Sequence, residues 1–216
     1  MIAVLDYGIG NLRSAEKALA YLGADVRLIT SKEDAAGASG IVLPGVGAFG
    51  ACAEALRASG LEGVARQAID DEVPFLGICV GYQLLFEGSD ESPDQPGLGV
   101  LTGRVERLSG DVKLPQIQWN QVRREGSGEM FPLAGSDPWF YFVHSYVPVP
   151  TGPSLAAVAG TAEYGERFVA AVESGRLWGV QFHPEKSGPT GLALLARFVE
   201  LAEQTVSGAA GVSNRA

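Results

Sequence analysis

The chain has 216 residues, 46% of them hydrophobic, which is enough to bury the core of one compact domain. Its formal net charge of −9 disfavours nucleic-acid binding, which depends on Lys and Arg concentrated on one face. No apolar run approaches the roughly 20 residues of a membrane helix and no secretory signal opens the chain, so we expect a cytoplasmic protein with neither nucleic acid nor membrane among its partners.

The first half of the chain alternates short apolar runs with amphipathic stretches. In chain order these are IAVLDYG, NLRSAEKALAYLG, ADVRLIT, GIVLPG, an Ala-rich stretch over residues 50–71, and VPFLGIC. Strands that alternate with helices in this way predict a parallel sheet with helices on both faces. Gly23 is predicted to cap the end of the first helix.

Beyond Phe86 the chain consists of strand-like runs separated by Gly, Pro and Asp turns, until one amphipathic helix closes it. We therefore predict an α/β fold: a mostly parallel open sheet flanked by helices, with an antiparallel β extension. The polar segment GSDESPDQPG is predicted to form no element. Residues 1–204 are predicted to form one domain, followed by a flexible tail over residues 205–216.

The strongest local signal is the segment VPFLGICVGYQLLF, in which an apolar strand runs into Gly77–Gly81 and a helix begins near Tyr82. Glycines on both sides of Cys79 allow the sharp strand-to-helix turn of a nucleophile elbow, with sulfur in place of oxygen. Taken alone, the segment also fits a small buried cysteine. The second cysteine, Cys52, lies in the Ala-rich stretch and is interpreted as a core residue.

A thiol nucleophile needs a base, and the chain has two histidines, His144 and His183. His183 ends an apolar strand and is followed by Pro184 and Glu185. Since proline favours an extended backbone, residues two apart point the same way and the Glu185 carboxylate can reach the His183 ring. We therefore predict a catalytic triad of Cys79, His183 and Glu185. His144, flanked by aromatic residues in a strand, is interpreted as a core histidine.

The segment LPGVGAFG, residues 43–50, places a Gly-rich loop between an apolar strand and the Ala-rich stretch. Such a loop exposes backbone N–H groups that can bind an oxyanion or an anionic ligand. It lacks the Lys and Ser or Thr of a phosphate-binding P-loop. An ordinary strand-to-helix turn is the alternative interpretation.

With Cys79, His183 and Glu185 assigned, the chain resembles the class I glutamine amidotransferases. Its motifs are further similar to those of the glutaminase subunits of imidazole glycerol phosphate synthase, over roughly residues 1–202. One segment departs from that pattern, because Gln116 and Gln118 replace the His and Gly of Pro-His-x-Gly-Trp-Asn. The segments that carry the resemblance are DYGIGNLRS, LPGVGAFG, GICVGYQLLFEGSDE, WNQV, FYFVHSY and QFHPEKSGPTGLALLARF.

The resemblance implies a reaction and a partner. Cys79 would attack the side-chain amide of glutamine, His183 would protonate the departing ammonia, and water would release glutamate. Ammonia would pass to a cyclase subunit with a (β/α)8 barrel, in a heterodimer that makes imidazole glycerol phosphate and an aminoimidazole carboxamide ribotide. No cofactor and no metal are needed. The residues assigned to substrate binding or the oxyanion are Gly47, Val80, Gln83, Ser145 and Tyr146.

The partner is expected to cover the mouth of the site. Ligands of open α/β sheets bind at the carboxyl ends of the strands, and ammonia must leave from that edge. The polar residues predicted to contact the partner are Asn11, Gln121 and Lys186, with the segment from Gln116 to Gln121.

Three other interpretations remain open. The glutaminase that serves pyridoxal phosphate synthesis is of similar size, but DYGIGN and HPEKSG argue against it. A cysteine peptidase of related α/β type would share the elbow, but it leaves Gln83 and the FVHSY segment unexplained. A catalytically inactive binding subunit would have no need of Cys79, His183 and Glu185 together.

Overall fold

The computed structural model describes residues 1–126, 128–131 and 137–212, with side chains described as far as residue 204. In these ranges the helices are α1 (Leu12–Tyr21), α2 (Phe49–Ala58), α3 (Leu61–Asp70), α4 (Val80–Gln83) and α5 (Gly188–Val212). The strands are β1 (Ile2–Leu5), β2 (Val26–Ile29), β3 (Gly40–Gly45), β4 (Phe75–Cys79), β5 (Gly88–Ser89), β6 (Ser92–Pro96), β7 (Gly103–Arg107), β8 (Gln116–Gln121), β9 (Arg123–Arg124), β10 (Trp139–His144), β11 (Tyr146–Pro150), β12 (Val158–Tyr164), β13 (Glu166–Ser174) and β14 (Leu177–Val180).

The main sheet has eight strands in the order β2-β1-β3-β4-β14-β13-β12-β9. The first five run parallel to one another, and the last three continue the sheet by antiparallel pairing. Two smaller sheets, β10-β8 and β11-β7-β5-β6, lie beside it. The predicted fold class, a mostly parallel sheet flanked by helices with an antiparallel extension, is confirmed.

The parallel strands at the centre are apolar throughout because both of their faces are covered. Every residue of β1, β3, β4 and β14 is buried. Helix α1 packs against α5, and α2 packs against α3 and α4. Two layers of helices and a sheet between them place the carboxyl ends of the parallel strands at one open edge. No helix within the described ranges is long and apolar enough to cross a membrane.

Glycines set two of the turns that the sequence contains. Gly23 follows α1 with φ +88, and its N–H donates to the carbonyl of Ala20 at 3.0 Å, so the predicted helix cap is confirmed. Gly60, at φ +76, divides the Ala-rich stretch into α2 and α3. A left-handed backbone conformation is accessible to glycine at little cost, which is why the helix ends there.

The segment GSDESPDQPG was predicted to form no element, and this prediction is wrong. Its backbone forms β5 and β6, with Asp90 donating its N–H to the carbonyl of Val105 at 2.9 Å. Asp94 is exposed and Ser92 is half-buried, while Ser89 is fully buried. Strand β5 pairs with both β6 and β7, and this pairing supplies backbone hydrogen bonds that the low strand propensity of these residues would not favour on its own.

The predicted tail begins inside a helix. Helix α5 continues to Val212, so its backbone extends into the segment assigned to the tail. Residues 213–216 lie outside the described residues. The domain boundary at residue 204 and the flexibility of the tail therefore stay predictions.

Helix α4 approaches the neighbouring strands more closely than any side chain would allow. A Cβ atom at Gly81 would overlap the carbonyl oxygen of Leu43 on β3. A Cβ at Gly77 would lie 2.9 Å from Tyr82 Cα, and one at Gly179 would overlap the Tyr82 ring. Three glycines on three elements thus allow one short helix to sit directly on the sheet.

We predict that Gly81→Ala lowers the free energy of unfolding by at least about 3 kcal/mol, because the backbone of β3 cannot move away without disrupting the sheet. The matched control is Gly63→Ala in α3, where an added Cβ meets no atom within 4 Å. That change should raise the free energy of unfolding by about 0.5–1 kcal/mol, as alanine favours the helix. Urea unfolding measures both, and equal midpoints for the two variants would contradict the close approach.

Candidate active site

A pocket of about 560 Å³ opens at the carboxyl edge of the main sheet. Most of the residues predicted for the site line it, whereas Glu185 lies behind His183 and Gln121 lies elsewhere. Among the described residues, no cluster of three or more His, Cys, Asp and Glu side chains is placed to hold a metal ion. The predicted residues that line the pocket are Asn11, Gly47, Cys79, Val80, Gln83, Ser145, Tyr146, His183 and Lys186.

Cys79 is the last residue of β4 and immediately precedes α4, which begins at Val80 rather than near Tyr82. Its φ of 55 and ψ of −112 lie in a region that non-glycine residues rarely adopt. Such a conformation costs roughly 1–3 kcal/mol and persists only when its surroundings enforce it. The tight approach of α4 to β3 supplies that enforcement, and it turns the thiol toward the pocket, as expected of a nucleophile elbow.

The structure brings the three predicted triad residues together. The His183 Nδ1 atom lies 2.8 Å from Glu185 Oε1, and His183 lines the same pocket as Cys79. With the Nδ1 proton donated to the carboxylate, Nε2 is the ring nitrogen that faces the sulfur. The side chains of His183 and Glu185 are 3% and 1% exposed, so solvent does not weaken their pairing.

Burial and hydrogen bonding act in opposite directions on the two charged partners. Burial alone would lower the pKa of His183, but hydrogen bonds to Cys79 and Glu185 outweigh it and raise the pKa to about 10. Burial would raise the pKa of Glu185, but hydrogen bonds from His183 and Asn11 hold it below its usual value. The site therefore favours an imidazolium paired with a carboxylate.

Glu185 reaches His183 through a turn, which corrects the expectation of an extended backbone after proline. Residues Pro184–Lys186 form a single turn of 3-10 helix, and the N–H of Lys186 donates to the carbonyl of His183 at 3.0 Å. Ser187 closes this turn, because its hydroxyl donates to the same carbonyl at 2.6 Å and accepts the N–H of Tyr141 at 3.0 Å. The predicted contact is present, although its geometric reason was wrong.

Asn11 has a contact that the sequence did not reveal. Its Nδ2 atom donates to Glu185 Oε1 at 2.9 Å, so it supports the carboxylate that orients His183. Asn11 also lines the pocket. A substitution of Asn11 would therefore disturb the triad as well as any docking surface. The predicted partner contact of Asn11 stays a prediction.

Two predictions about β8 are modified by the structure. Gln121 does not line the pocket, and its amide donates to the carbonyl of Asp137 at 3.0 Å. Gln116, which replaces the histidine of the family pattern, is fully buried, so its side chain cannot contact a partner. The exposed residues of this strand are Ile117, Gln118, Trp119 and Gln121.

His144 lies in the wall of the pocket, and its ring is packed against Phe142 and Phe168. Its Nδ1 atom lies 3.1 Å from the carbonyl oxygen of Tyr146, so Nδ1 carries the proton. Burial lowers the pKa of His144 to about 4. A neutral ring held by one backbone carbonyl agrees with the interpretation of His144 as a packed histidine rather than the base.

Two residues of the site, Glu91 and Gln181, were given no role from the sequence, although both lie within segments that carry the family resemblance. Glu91 lies in the wall, and its Oε2 accepts the backbone N–H of Phe49 at 2.8 Å. Glu91 lies in the segment GSDESPDQPG, which was wrongly predicted to form no element. Gln181 is fully buried, and its Nε2 lies 3.7 Å from Cys79 Sγ. The sequence offers one signal for Gln181, because this residue is a single amide at the end of an otherwise apolar strand, two residues before His183.

Comparisons with known proteins agree with this fold and site. The family described as glutamine amidotransferase class-I matches residues 3–201. A crystal structure of a glutamine amidotransferase superposes with a TM-score of 0.73 at 25% identity, over 94% of this chain and 98% of that one. A thiol at a strand end, with a histidine and a carboxylate beside it, is the chemistry that such a class requires.

Similarity to individual proteins narrows the assignment of the chain within this family. The imidazole glycerol phosphate synthase subunit HisH of Moorella thermoacetica is 45% identical over 200 residues, which cover 93% of this chain and 94% of that protein. The HisH subunit of a Synechococcus species is 46% identical over 202 residues, which cover 92% and 93%. The chain therefore belongs to the HisH family of class-I glutamine amidotransferases.

The neutral state of His144 gives a prediction about stability and pH. An unfolded chain takes up a proton at His144 near pH 6.5, whereas the folded chain does so only near pH 4. Stability is therefore lost as the pH falls between these values. We predict that the wild type loses roughly 3 kcal/mol more than His144→Gln between pH 7 and pH 4.

Urea unfolding across this pH range measures the difference. Glutamine at position 144 can still donate to the Tyr146 carbonyl but does not titrate, so it isolates the ring proton. The contributions of His183 and Glu185 are present in both proteins and cancel in the comparison. Parallel pH profiles for the two proteins would contradict the buried, neutral ring.

Proposed function

We propose that the chain hydrolyses glutamine to glutamate and ammonia, and delivers the ammonia to a cyclase subunit of imidazole glycerol phosphate synthase in histidine biosynthesis. The observation that carries the proposal is the contact of Cys79, His183 and Glu185 at one pocket of a HisH family member. A reactive thiol has to remain reduced, which supports a cytoplasmic location. Both cysteines are free.

The reaction follows from the arrangement of the triad. The Cys79 sulfur attacks the side-chain amide carbon of glutamine, and the C–N bond breaks as His183 gives a proton to the leaving nitrogen. Ammonia departs and a thioester to Cys79 remains. His183 then accepts a proton from water, whose oxygen attacks the thioester and releases glutamate. Glu185 holds the ring throughout and stabilises its positive charge.

Other pocket residues are assigned to the substrate. We assign the backbone N–H groups of Gly47 and Val80 to the oxyanion of the tetrahedral intermediate, since both residues flank the sulfur at the pocket. Ser145 and Tyr146 also line the pocket and are assigned to the amino-acid end of glutamine. Glu91 also lines the pocket, where its carboxylate would attract the ammonium group of the substrate.

The partner is proposed to be a (β/α)8-barrel cyclase that covers the carboxyl edge of the sheet. One face of the β8-β10 ladder supports this proposal, because Ile117, Trp119 and Trp139 are 59%, 48% and 52% exposed. In the ladder, Trp139 is opposite Gln121, so these side chains share a face. Exposed apolar patches of this kind mark protein interfaces, and aromatic residues dominate their binding energy.

A plain cysteine hydrolase is the second candidate, because the elbow and triad alone do not require glutamine. It predicts rapid turnover by the isolated chain. A subunit that passes ammonia on would waste glutamine if it were active alone, so slow hydrolysis without the cyclase favours our proposal. Glutamine hydrolysis by the purified chain, with and without the cyclase and its ribonucleotide ligand, separates the two.

We predict that Cys79→Ala abolishes cyclase-stimulated hydrolysis of glutamine, whereas Cys52→Ala retains it. A glutamine analogue that carries an electrophilic diazo-ketone should label Cys79 and spare Cys52, which is fully buried. His183→Asn should be as damaging as Cys79→Ala, since the members of a triad act as a unit. Mass spectrometry of the labelled peptides identifies the site.

Two outcomes would contradict this assignment. Labelling of Cys52 alone would exclude Cys79 as the nucleophile. Loss of hydrolysis in His144→Asn, together with normal hydrolysis in His183→Asn, would exclude His183 as the base. Glu185→Gln should reduce glutamine hydrolysis less than Cys79→Ala or His183→Asn does, because glutamine can still accept a hydrogen bond from the Nδ1 proton.

We predict that Trp119→Ala weakens binding of the cyclase about thirtyfold, as expected for a central aromatic contact. The matched control is Tyr21→Ala, because Tyr21 is 79% exposed but lies at the far end of α1. Lys186→Glu, at the mouth of the pocket, should also weaken binding, whereas Arg27→Glu on β2 makes the same charge change without effect. Calorimetric titration with the cyclase measures the affinity of all four variants. If Trp119→Ala and Lys186→Glu bind as tightly as their controls, the docking surface lies elsewhere.

A further inference from the structure

Gln181 is a fully buried amide that no step of the proposed reaction uses. It follows β14, and its backbone N–H donates to the carbonyl of Ala170 at 2.9 Å. Its side chain lies between two residues of the site: Oε1 accepts from Gln83 Nε2 at 3.1 Å, and Nε2 lies 3.7 Å from Cys79 Sγ. A buried amide is costly unless both of its ends are bonded, and here both ends meet the active site.

The parallel register explains this position. Strand β14 pairs with β4 so that Gly179 is opposite Gly77 and Val180 is opposite Ile78. The next pair in the same register is Gln181 with Cys79. The contact between the amide and the sulfur is therefore built into the sheet rather than into a loop.

The hydrogen bonds that involve Gln181 can have only one direction. Gln83 Nε2 also lies 3.1 Å from the carbonyl oxygen of Tyr146, and a carbonyl only accepts, so nitrogen must occupy that end of the Gln83 amide. The same nitrogen donates to Gln181, which must present its oxygen. The Gln181 NH₂ group is then the end that faces the sulfur of Cys79.

We propose that Gln181 is a positioning residue for the nucleophile and for the substrate. Its N–H donates to the sulfur of Cys79 whenever that atom carries negative charge, both before attack and when the thioester is cleaved. The Gln181 oxygen accepts one hydrogen of the Gln83 NH₂ group, and the Tyr146 carbonyl accepts the other. Gln83 therefore has only its amide oxygen, an acceptor, left for the substrate. The amide oxygen of Gln83 thus selects a donor, such as the ammonium group of glutamine. This inference rests on the proposed glutaminase activity.

Two variants separate the two roles. Gln181→Glu keeps an oxygen toward Gln83 but removes the N–H toward the sulfur, and adds a negative charge beside it. At pH 8 we expect alkylation of Cys79 by iodoacetamide, in the isolated chain, to slow by about tenfold or more. Cyclase-stimulated kcat should fall by a similar factor, while KM for glutamine changes less than about threefold. Gln181→Met removes both bonds, so kcat should fall and KM should rise.

Gln116→Met is the matched control. Gln116 is also fully buried, but neither its amide nitrogen nor its amide oxygen has a hydrogen-bond partner in the described chain. This variant should alkylate at Cys79 within about twofold of the wild type, because no bond to the site is lost. Normal thermal unfolding of each variant shows that the fold is retained.

The outcomes are distinct. The inference is wrong if Gln181→Glu and Gln181→Met alkylate at the wild-type rate, even when their stability is reduced, because the residue would then be structural only. It is also wrong if Gln116→Met slows alkylation as much as they do. If the wild type hydrolyses no glutamine with the cyclase, the proposed function fails, while the alkylation rates still test the contact between Gln181 and Cys79.

Discussion

The close packing of α4 on the sheet is the constraint on which the site depends. Gly81 sits against the Leu43 carbonyl, and Gly179 leaves room for the Tyr82 ring. Because α4 cannot move outward without opening a gap in the core, Cys79 is held in a backbone conformation that it would not adopt freely. The strain is confined to the backbone of Cys79, and the packing of the surrounding sheet maintains it.

The same packing determines where the other triad members can lie. Strand β14 is the neighbour of β4 in the sheet, and the chain passes from β14 directly into His183 and the turn that carries Glu185. Their two buried charges compensate each other, and Asn11 donates a further hydrogen bond to the carboxylate. Removal of one would leave the other unpaired in the interior, which is a strongly destabilising event. Stability and catalysis therefore depend on the same pair.

Much of the fold could be predicted from the sequence, because the strands at the centre are continuous apolar runs and the glycines mark their turns. The triad could be predicted because only two cysteines and two histidines compete for its roles. Strands β5 and β6 could not be predicted, since their stability comes from pairing with each other and of β5 with β7, rather than from the strand propensity of their own residues. The contacts of Asn11 and Gln181 could not be predicted either. Asn11 is 174 residues from Glu185 in the chain, and Gln181 is 102 residues from Cys79.

The carbonyl of Tyr146 has a further consequence. It accepts from Nδ1 of His144 and from the Gln83 amide, so one backbone oxygen sets the tautomer of a histidine and the orientation of two glutamines. Because this oxygen belongs to the main chain, no exchange of the residue 146 side chain can reverse the direction of the network. A change in the length of the connection between β10 and β11 would displace the oxygen and release all three side chains at once. The hydrogen-bond network, as distinct from the contacts of the Tyr146 side chain, should thus tolerate point substitutions at this position far better than a single inserted residue.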